Sequence, residues 1–218
     1  MALTGFNPEA VNSSVTAVNT AYNELMNTLY TGVQKNFVEA MADKWAAPQA
    51  VNAMAEIVNV MNGLCYSGGD SINTIFESVV SSMNSAATAW ADQTGAGYNA
   101  VAYNEFGQRF DSGSIQEKGP NNVIGIDLEA AQQVAATLPA VADSVVSALN
   151  SAKNAVSASG FIGADQQQAL DSSLEEIKGN VSTAFNTIAE TAKKAIDSTV
   201  AEYGNTGGRV AQAFAGNM

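Results

Sequence analysis

Apolar residues recur along the first part of the chain at spacings of three and four. Val11, Val15, Val18, Tyr22, Leu25 and Leu29 form a stripe, and Val33, Phe37 and Met41 prolong it. That spacing marks one face of an α-helix, so a helix is predicted over about 8–42. After Trp45 a second stripe runs through Val51, Met54, Ile57 and Met61, breaks between Gly63 and Asp70, and resumes with Ile72, Phe76, Val79, Met83 and Trp90. Gly68-Gly69 disfavours helix continuation and Asp70-Ser71 offers a cap for a restarted helix, so this second helix is predicted to be kinked or interrupted.

The same plan returns toward the other end of the chain. Val134, Leu138, Val141, Val145, Leu149, Ala152 and Val156 make one stripe. Leu170, Leu174, Ile177, Val181, Phe185, Ile188, Ala192, Ile196 and Val200 make another, without an interruption. Between the two pairs, residues 98–124 lose the helical period and gather turn formers, Asp111-Ser112-Gly113-Ser114 and Gly119-Pro120-Asn121-Asn122, and read as a linker. Its aromatics Tyr98, Tyr103, Phe106 and Phe110 are too many for a solvated tether, so part of it is expected to pack on the helices. Fully extended, the linker would reach roughly 85 Å, against about 50 Å for a long predicted helix, so the second pair can start at either end of the first.

Three short echoes relate the two pairs. Gly5-Phe6-Asn7-Pro8-Glu9-Ala10 is echoed 120 positions on by Gly125-Ile126-Asp127-Leu128-Glu129-Ala130. Lys44-Trp45-Ala46-Ala47 lies over Gly160-Phe161-Ile162-Gly163 at an offset of 116, and Asn73-Thr74-Ile75-Phe76 over Ser182-Thr183-Ala184-Phe185 at an offset of 109. The offset changes by about one helical turn and then by about two, which keeps the buried faces nearly in phase, as a duplication of helices requires. Residues 1–97 and 125–218 are therefore expected to be two copies of one helical hairpin, the second with a C-terminal tail.

Composition removes most chemistry from consideration. Histidine is absent and Cys65 is the single cysteine, so His-based acid–base catalysis, Ser-His-Asp and Cys-His nucleophiles, His-ligated metals and multi-cysteine zinc sites are excluded. The neighbouring acids Glu175-Glu176, and Asp127 with Glu129, read as solvated helix surface and helix-start residues rather than an acid–base pair. The chain is expected not to be an enzyme and to need no cofactor. A formal net charge of -12 opposes binding to nucleic acid phosphates and anionic lipid. Cys65 cannot form an internal disulfide and reads as a small apolar filler, an intermolecular bridge being the alternative.

The apolar stripes read as the core face of a bundle. Their polar faces carry Asn, Ser, Thr and Gln rather than Lys and Arg, the wrong chemistry for a basic membrane-surface helix, and stable membrane insertion is not expected. The first residues, Met1 to Glu9, show no basic and apolar leader pattern. The expectation is a cytoplasmic protein, or one exported to the outside without a cleavable signal peptide.

A long helix, a tight turn carrying Trp and a small residue, and another long helix resemble the WXG family, the small ESAT-like substrates of type VII secretion. The matching positions are Trp45-Ala46-Ala47, with Ala where the family has Gly, and Phe161-Ile162-Gly163, which keeps Gly and replaces Trp by Phe. The resemblance implies an all-α fold in which two long helical hairpins form an antiparallel four-helix bundle. Two hairpins in one chain would pair intramolecularly, giving a monomer or weak oligomer. It further implies a role in protein–protein interaction, with the turns helping to form a surface for a secretion ATPase or chaperone.

Two features depart from the family. Its export signal is Tyr, three residues, then Asp or Glu after the second helix, and Tyr203-Gly204-Asn205-Thr206-Gly207 does not match it. Tyr66-Ser67-Gly68-Gly69-Asp70 fits the letters but lies between two helical stripes. For Trp45 two readings stand together: a hydrophobic plug whose indole N–H reaches the backbone of the turn, and a motif residue that exposes an edge. The alternative function is a self-assembling extracellular or envelope subunit built from the same acidic helices.

Overall fold

Helices begin in this protein where a side chain can accept the orphan amides of a first turn. The computed structural model describes residues 7–119, 122–157 and 164–204. Asn7 Oδ1 accepts from the amides of Glu9 and Ala10 at 3.0 and 3.2 Å and opens α1, Pro8–Leu29. Asp127 Oδ1 accepts from the amide of Ala130 at 3.1 Å and opens α4, Leu128–Ala135. The echo between residues 5–10 and 125–130 thus contains the same capping device twice, which gives it a local physical cause.

α1 continues as a π-helical segment, Tyr30–Glu39, and the helical backbone persists to Met41, close to the predicted end. The wider π turn brings consecutive residues closer in angle, and Gly32, Val33 and Gln34 are all buried. Helix α2 spans Pro48–Tyr66 and α3 spans Ile72–Thr94. The predicted interruption lies between them. Gly68 takes a left-handed φ of 95°, and Ser71 Oγ caps α3 by accepting from the Thr74 amide at 3.3 Å.

The next stripe does not form one continuous helix. It is divided into α4 and α5, Leu138–Ser157, with a turn at Ala136–Thr137. Pro139 explains the division, because its ring would clash with the carbonyl of Ala135 and it has no amide to donate. The turn is closed by Thr137, whose amide and hydroxyl both donate to the Val134 carbonyl, at 3.1 and 2.7 Å. Helix α6 runs uninterrupted from Ala164 to Thr199 and passes into a π-helical turn, Val200–Gly204. With 76% of the structure helical, the chain is all-α. An 18-residue window within Leu128–Asn154 reaches a mean hydropathy of 1.2, a value that by length and composition alone would suit a membrane span, and the turn before Pro139 divides that stretch into α4 and α5.

Among the described residues, the only strands are two short ones. β1, Trp45–Ala46, pairs antiparallel with β2, Gly125–Ile126, Trp45 opposite Ile126 and Ala46 opposite Gly125. The amide of Asp127 extends this clasp by donating to the Lys44 carbonyl at 2.7 Å.

The chain divides into two compact units that do not coincide with residues 1–97 and 125–218. One joins the residues up to Thr28, Gly63–Gln108 and Asp143–Val181. Its core holds Val15, Val18, Tyr22, Ile72, Phe76, Val80, Val145, Leu149 and Ile177. The other joins Leu29–Asn62, Arg109–Ala142 and the residues from Ser182 onward. Its core holds Leu29, Phe37, Met41, Trp45, Met54, Ile57, Phe110 and Ile188. Cys65 is buried and is not part of a disulfide.

Along α3 the buried face differs from the predicted one. Val80 rather than Val79 is buried, Ala87 and Ala91 follow it inside, and Trp90 is 45% exposed. Both sets have helical spacing. The small alanines allow close approach and rotate the bulky indole outward, which a ranking by side-chain size does not foresee.

Gly32 packs closely against Val141 within the second unit. A Cβ there would sit 2.3 Å from Val141 Cγ1 and 2.7 Å from Cγ2. Valine is stiff at χ1 and cannot swing clear. Gly32→Ala is therefore expected to destabilise the chain by about 1–3 kcal/mol despite the better helix propensity of Ala. In a double-mutant cycle read by urea unfolding, adding Val141→Ala should recover part of that loss, and strict additivity would contradict the contact.

Candidate functional site

The turn between the long first helix and α2 is built around Trp45. Its ring is 1% exposed, and its Nε1–H donates to Thr199 Oγ1 at 3.1 Å within the second unit. Thr199 is itself fully buried and donates its own hydroxyl to the Ala195 carbonyl at 2.8 Å. Ala47 is likewise buried and Ala46 half-buried, with Gly119 against its methyl group. The ring is buried, as the plug reading expects, but its N–H goes to the Thr199 side chain of a distant helix rather than to the backbone of the turn. Phe161, Ile162 and Gly163 of the second predicted turn lie outside the described residues.

The five-residue match at 66–70 lies at the break between α2 and α3. Tyr66 donates from its hydroxyl to the Gln108 carbonyl at 2.6 Å, while Asp70 is exposed in the turn that precedes α3. The tyrosine hydroxyl is thus engaged with the chain's own segment after α3. Of the non-matching stretch 203–207, residues 205–207 lie outside the described residues.

That segment, residues 98–119, contains the arrangement that sequence reading did not find. It is non-helical and largely extended, and such a main chain needs hydrogen-bond partners. In the first unit Asn84 of α3 donates from Nδ2 to the Val101 carbonyl at 2.8 Å and accepts on Oδ1 from the Val101 amide at 3.3 Å. Asn19 of α1 donates to the Ala102 carbonyl at 2.9 Å and accepts from the Asn104 amide at 3.2 Å. Asn23 donates to the Asn104 carbonyl at 3.1 Å.

The second unit repeats the device. Asn62 of α2 pairs with both the carbonyl and the amide of Phe110, at 3.0 and 3.3 Å. Gln34, only 4% exposed, pairs with both groups of Asp111, at 2.8 and 2.9 Å. A primary amide carries a donor and an acceptor side by side, so it can satisfy one residue's main chain as a neighbouring strand would.

A sequence signal for these residues exists. Asn19, Asn23, Gln34, Asn62, Asn73 and Asn84 each directly follow a stripe residue, namely Val18, Tyr22, Val33, Met61, Ile72 and Met83. One residue is about 100° of helix, so all six amides lie on the same flank of their stripes.

Tyr103 is the deepest anchor of the segment in the first unit. Its hydroxyl donates to Asn73 Oδ1 at 3.0 Å, the atom that also accepts from Tyr22 at 2.8 Å, and the two tyrosine rings lie 5.1 Å apart. Tyr22 in turn accepts from the Phe106 amide at 3.3 Å and packs on Phe76. Burial pushes the Tyr103 hydroxyl far above its ordinary value, and the Tyr22 hydroxyl and the charges of Glu77 and Glu105 add to it. Tyr22 is also raised, mainly by burial. The packing of the segment's aromatics matches the expectation for the linker, with Phe110 buried and tilted against Tyr30 at 5.8 Å.

This arrangement holds an extended polypeptide by its main chain. Comparison with known protein families, curated proteins and solved structures finds no match for this chain.

Two measurements follow. Trp45→Ala should cost about 3–5 kcal/mol in denaturant unfolding, the range for truncating a buried large aromatic, and a change within about 0.5 kcal/mol would show that the indole is not a core element. For the tyrosines, a folded value above the unfolded one means the folded state keeps the proton longer. Their stabilising contribution is full below about pH 10 and is lost as the pH rises from there toward the folded values. Stability should fall above that pH, and less steeply in Tyr103→Phe; identical profiles for the two proteins would contradict the assignment.

Proposed function

We propose that this chain is a non-enzymatic, exported or secretion-associated helical protein that acts by protein–protein interaction. In this reading it is a fused pair of WXG-like hairpins, forming an antiparallel four-helix bundle within one polypeptide. The observation that supports it is the pairing of α2 with α6 in the second unit. Gln49 of α2 donates to Glu202 in the π-helical turn that continues α6, and Thr191 of α6 donates to Glu56 of α2 at 3.2 Å, so residue numbers rise along α2 as they fall back along α6. A helix from the first half of the chain lies antiparallel to one from the second, as a fused hairpin pair requires. Fusion replaces dimerisation by an encounter at high effective concentration.

With Trp45 and Ala47 inside, a partner at the first turn would meet the exposed Asp43, Lys44 and Pro48. The partner class in this reading is a secretion ATPase or a chaperone of a type VII system. Tyr66 and Asp70 are the candidate export residues, with Asp70 the accessible one.

Two assays test the reading. Halves comprising 1–110 and 111–218 each leave an apolar face uncovered, so each should self-associate alone, and mixing should give a 1:1 complex with recovered helicity. Halves that are each monomeric and indifferent to one another would end the fused-pair reading. Export is checked by expression in a host with a type VII system, where Asp70→Ala and Lys44→Glu should lower the amount in the medium without changing the melting temperature. Unchanged secretion in a strain lacking the ATPase would overturn the secretion assignment, and a mass that grows without limit on concentration would favour the self-assembling subunit.

A further inference from the structure

Residues 98–106 lie on α1 and α3 in the manner of a bound extended peptide. Asn84 holds one residue of it from the α3 side, and Asn19 with Asn23 hold two from the α1 side. All of these bonds go to main-chain groups, so none depends on which side chains the segment carries. Two tyrosines supply the selectivity: Tyr98 donates to Asn84 Oδ1 at 2.6 Å, and Tyr103 donates to Asn73.

The segment is held by individual side chains rather than by a cooperative ladder, and it can detach without unwinding a helix. Gly95, at a left-handed φ of 68°, and Gly97 precede it, and Gly107 follows; all three are exposed. Open grooves border it on both sides, one lined by Ser81, Ser85 and Thr88, the other by Thr16, Thr20 and Asn27. A segment with exposed flanks and no backbone ladder opens at lower free energy than the helices it lies on.

We propose that this trough on α1 and α3 is a binding site for an extended peptide, filled in cis by residues 98–106 and able to take the same residues from a second copy of the chain, giving a strap-exchanged dimer. The occupant follows from the structure, because the segment already seated there is identical in every copy, and exchange of an identical element makes the same bonds in trans as in cis. The cis segment competes at an effective concentration in about the millimolar range, so exchange belongs to high protein concentration or to a loosened strap. The proposal does not depend on the secretion reading.

The test uses the full chain and a fluorescent peptide of residues 97–107, followed by anisotropy. Tyr98→Phe combined with Tyr103→Ala loosens the chain's own strap and leaves every trough residue in place. This variant should bind the peptide about tenfold more tightly than the unaltered chain. A peptide carrying Val101→Pro, which lacks the amide that Asn84 accepts, should bind about tenfold more weakly than the unaltered peptide. If the double variant loses helicity by circular dichroism, Tyr98→Phe alone carries the comparison, since it keeps the ring and removes one donor.

In parallel, light scattering on the unaltered chain should show a dimer that grows with concentration and returns to monomer in excess peptide. A folded, loosened variant that binds no more tightly would overturn the proposal, as would equal binding of the Val101→Pro peptide. A chain that stays monomeric throughout overturns strap exchange even if the peptide binds, and assigns the trough to extended segments of other proteins. A dimer that excess peptide leaves intact overturns it as well.

Discussion

A helix with an apolar stripe along most of its length cannot remain alone in water, and a hairpin of two such helices still leaves part of its core uncovered. Everything else in this protein follows from how that cover is found. In the second unit it comes from the other half of the chain: Trp45, in the turn before α2, meets Thr199 of α6, and the π-helical segment meets α5 where Gly32 admits Val141. The one polar atom of the buried indole finds a hydroxyl that is itself engaged, so the plug leaves no unmet donor behind.

The segment after α3 has the opposite problem. Apart from its aromatic anchors it has a main chain that must be satisfied where it lies on the helices. A second strand would solve this, and β1–β2 shows the chain using that solution over two residues. Elsewhere the helices supply it from their own side chains. Asn and Gln, poor residues for a helix interior by propensity, become useful on the flank of a stripe because each presents a donor and an acceptor to one peptide unit. The high content of asparagine in an otherwise bland acidic sequence thereby acquires a structural meaning.

Much of the fold was legible in the chain itself. The stripes located the helices, Gly68-Gly69 and Ser71 located the break between α2 and α3, and the turn formers with their aromatics announced a non-helical segment that packs. One miss was also readable: Pro139 should have divided the stripe that begins at Val134, because ring sterics act locally and need no tertiary contact. The candidate site was less legible. Asparagine after a stripe residue is a pattern in the sequence, but it states only that the amide lies beside the core, not what comes to meet it.

Local chemistry set what this sequence determines alone: helix starts at Asn7, Ser71 and Asp127, helix breaks at Gly68 and before Pro139, and which faces are apolar. These depend on a few neighbouring residues and on the period of the helix. Tertiary structure decided the rest. It turned Trp90 outward in favour of Ala87 and Ala91, buried Trp45 against a residue 154 positions away, and brought Asn19, Asn62 and Asn84 to one extended segment. Such pairings are chosen by fit between surfaces far apart in the chain, and a one-dimensional pattern lists the surfaces without saying which of them meet.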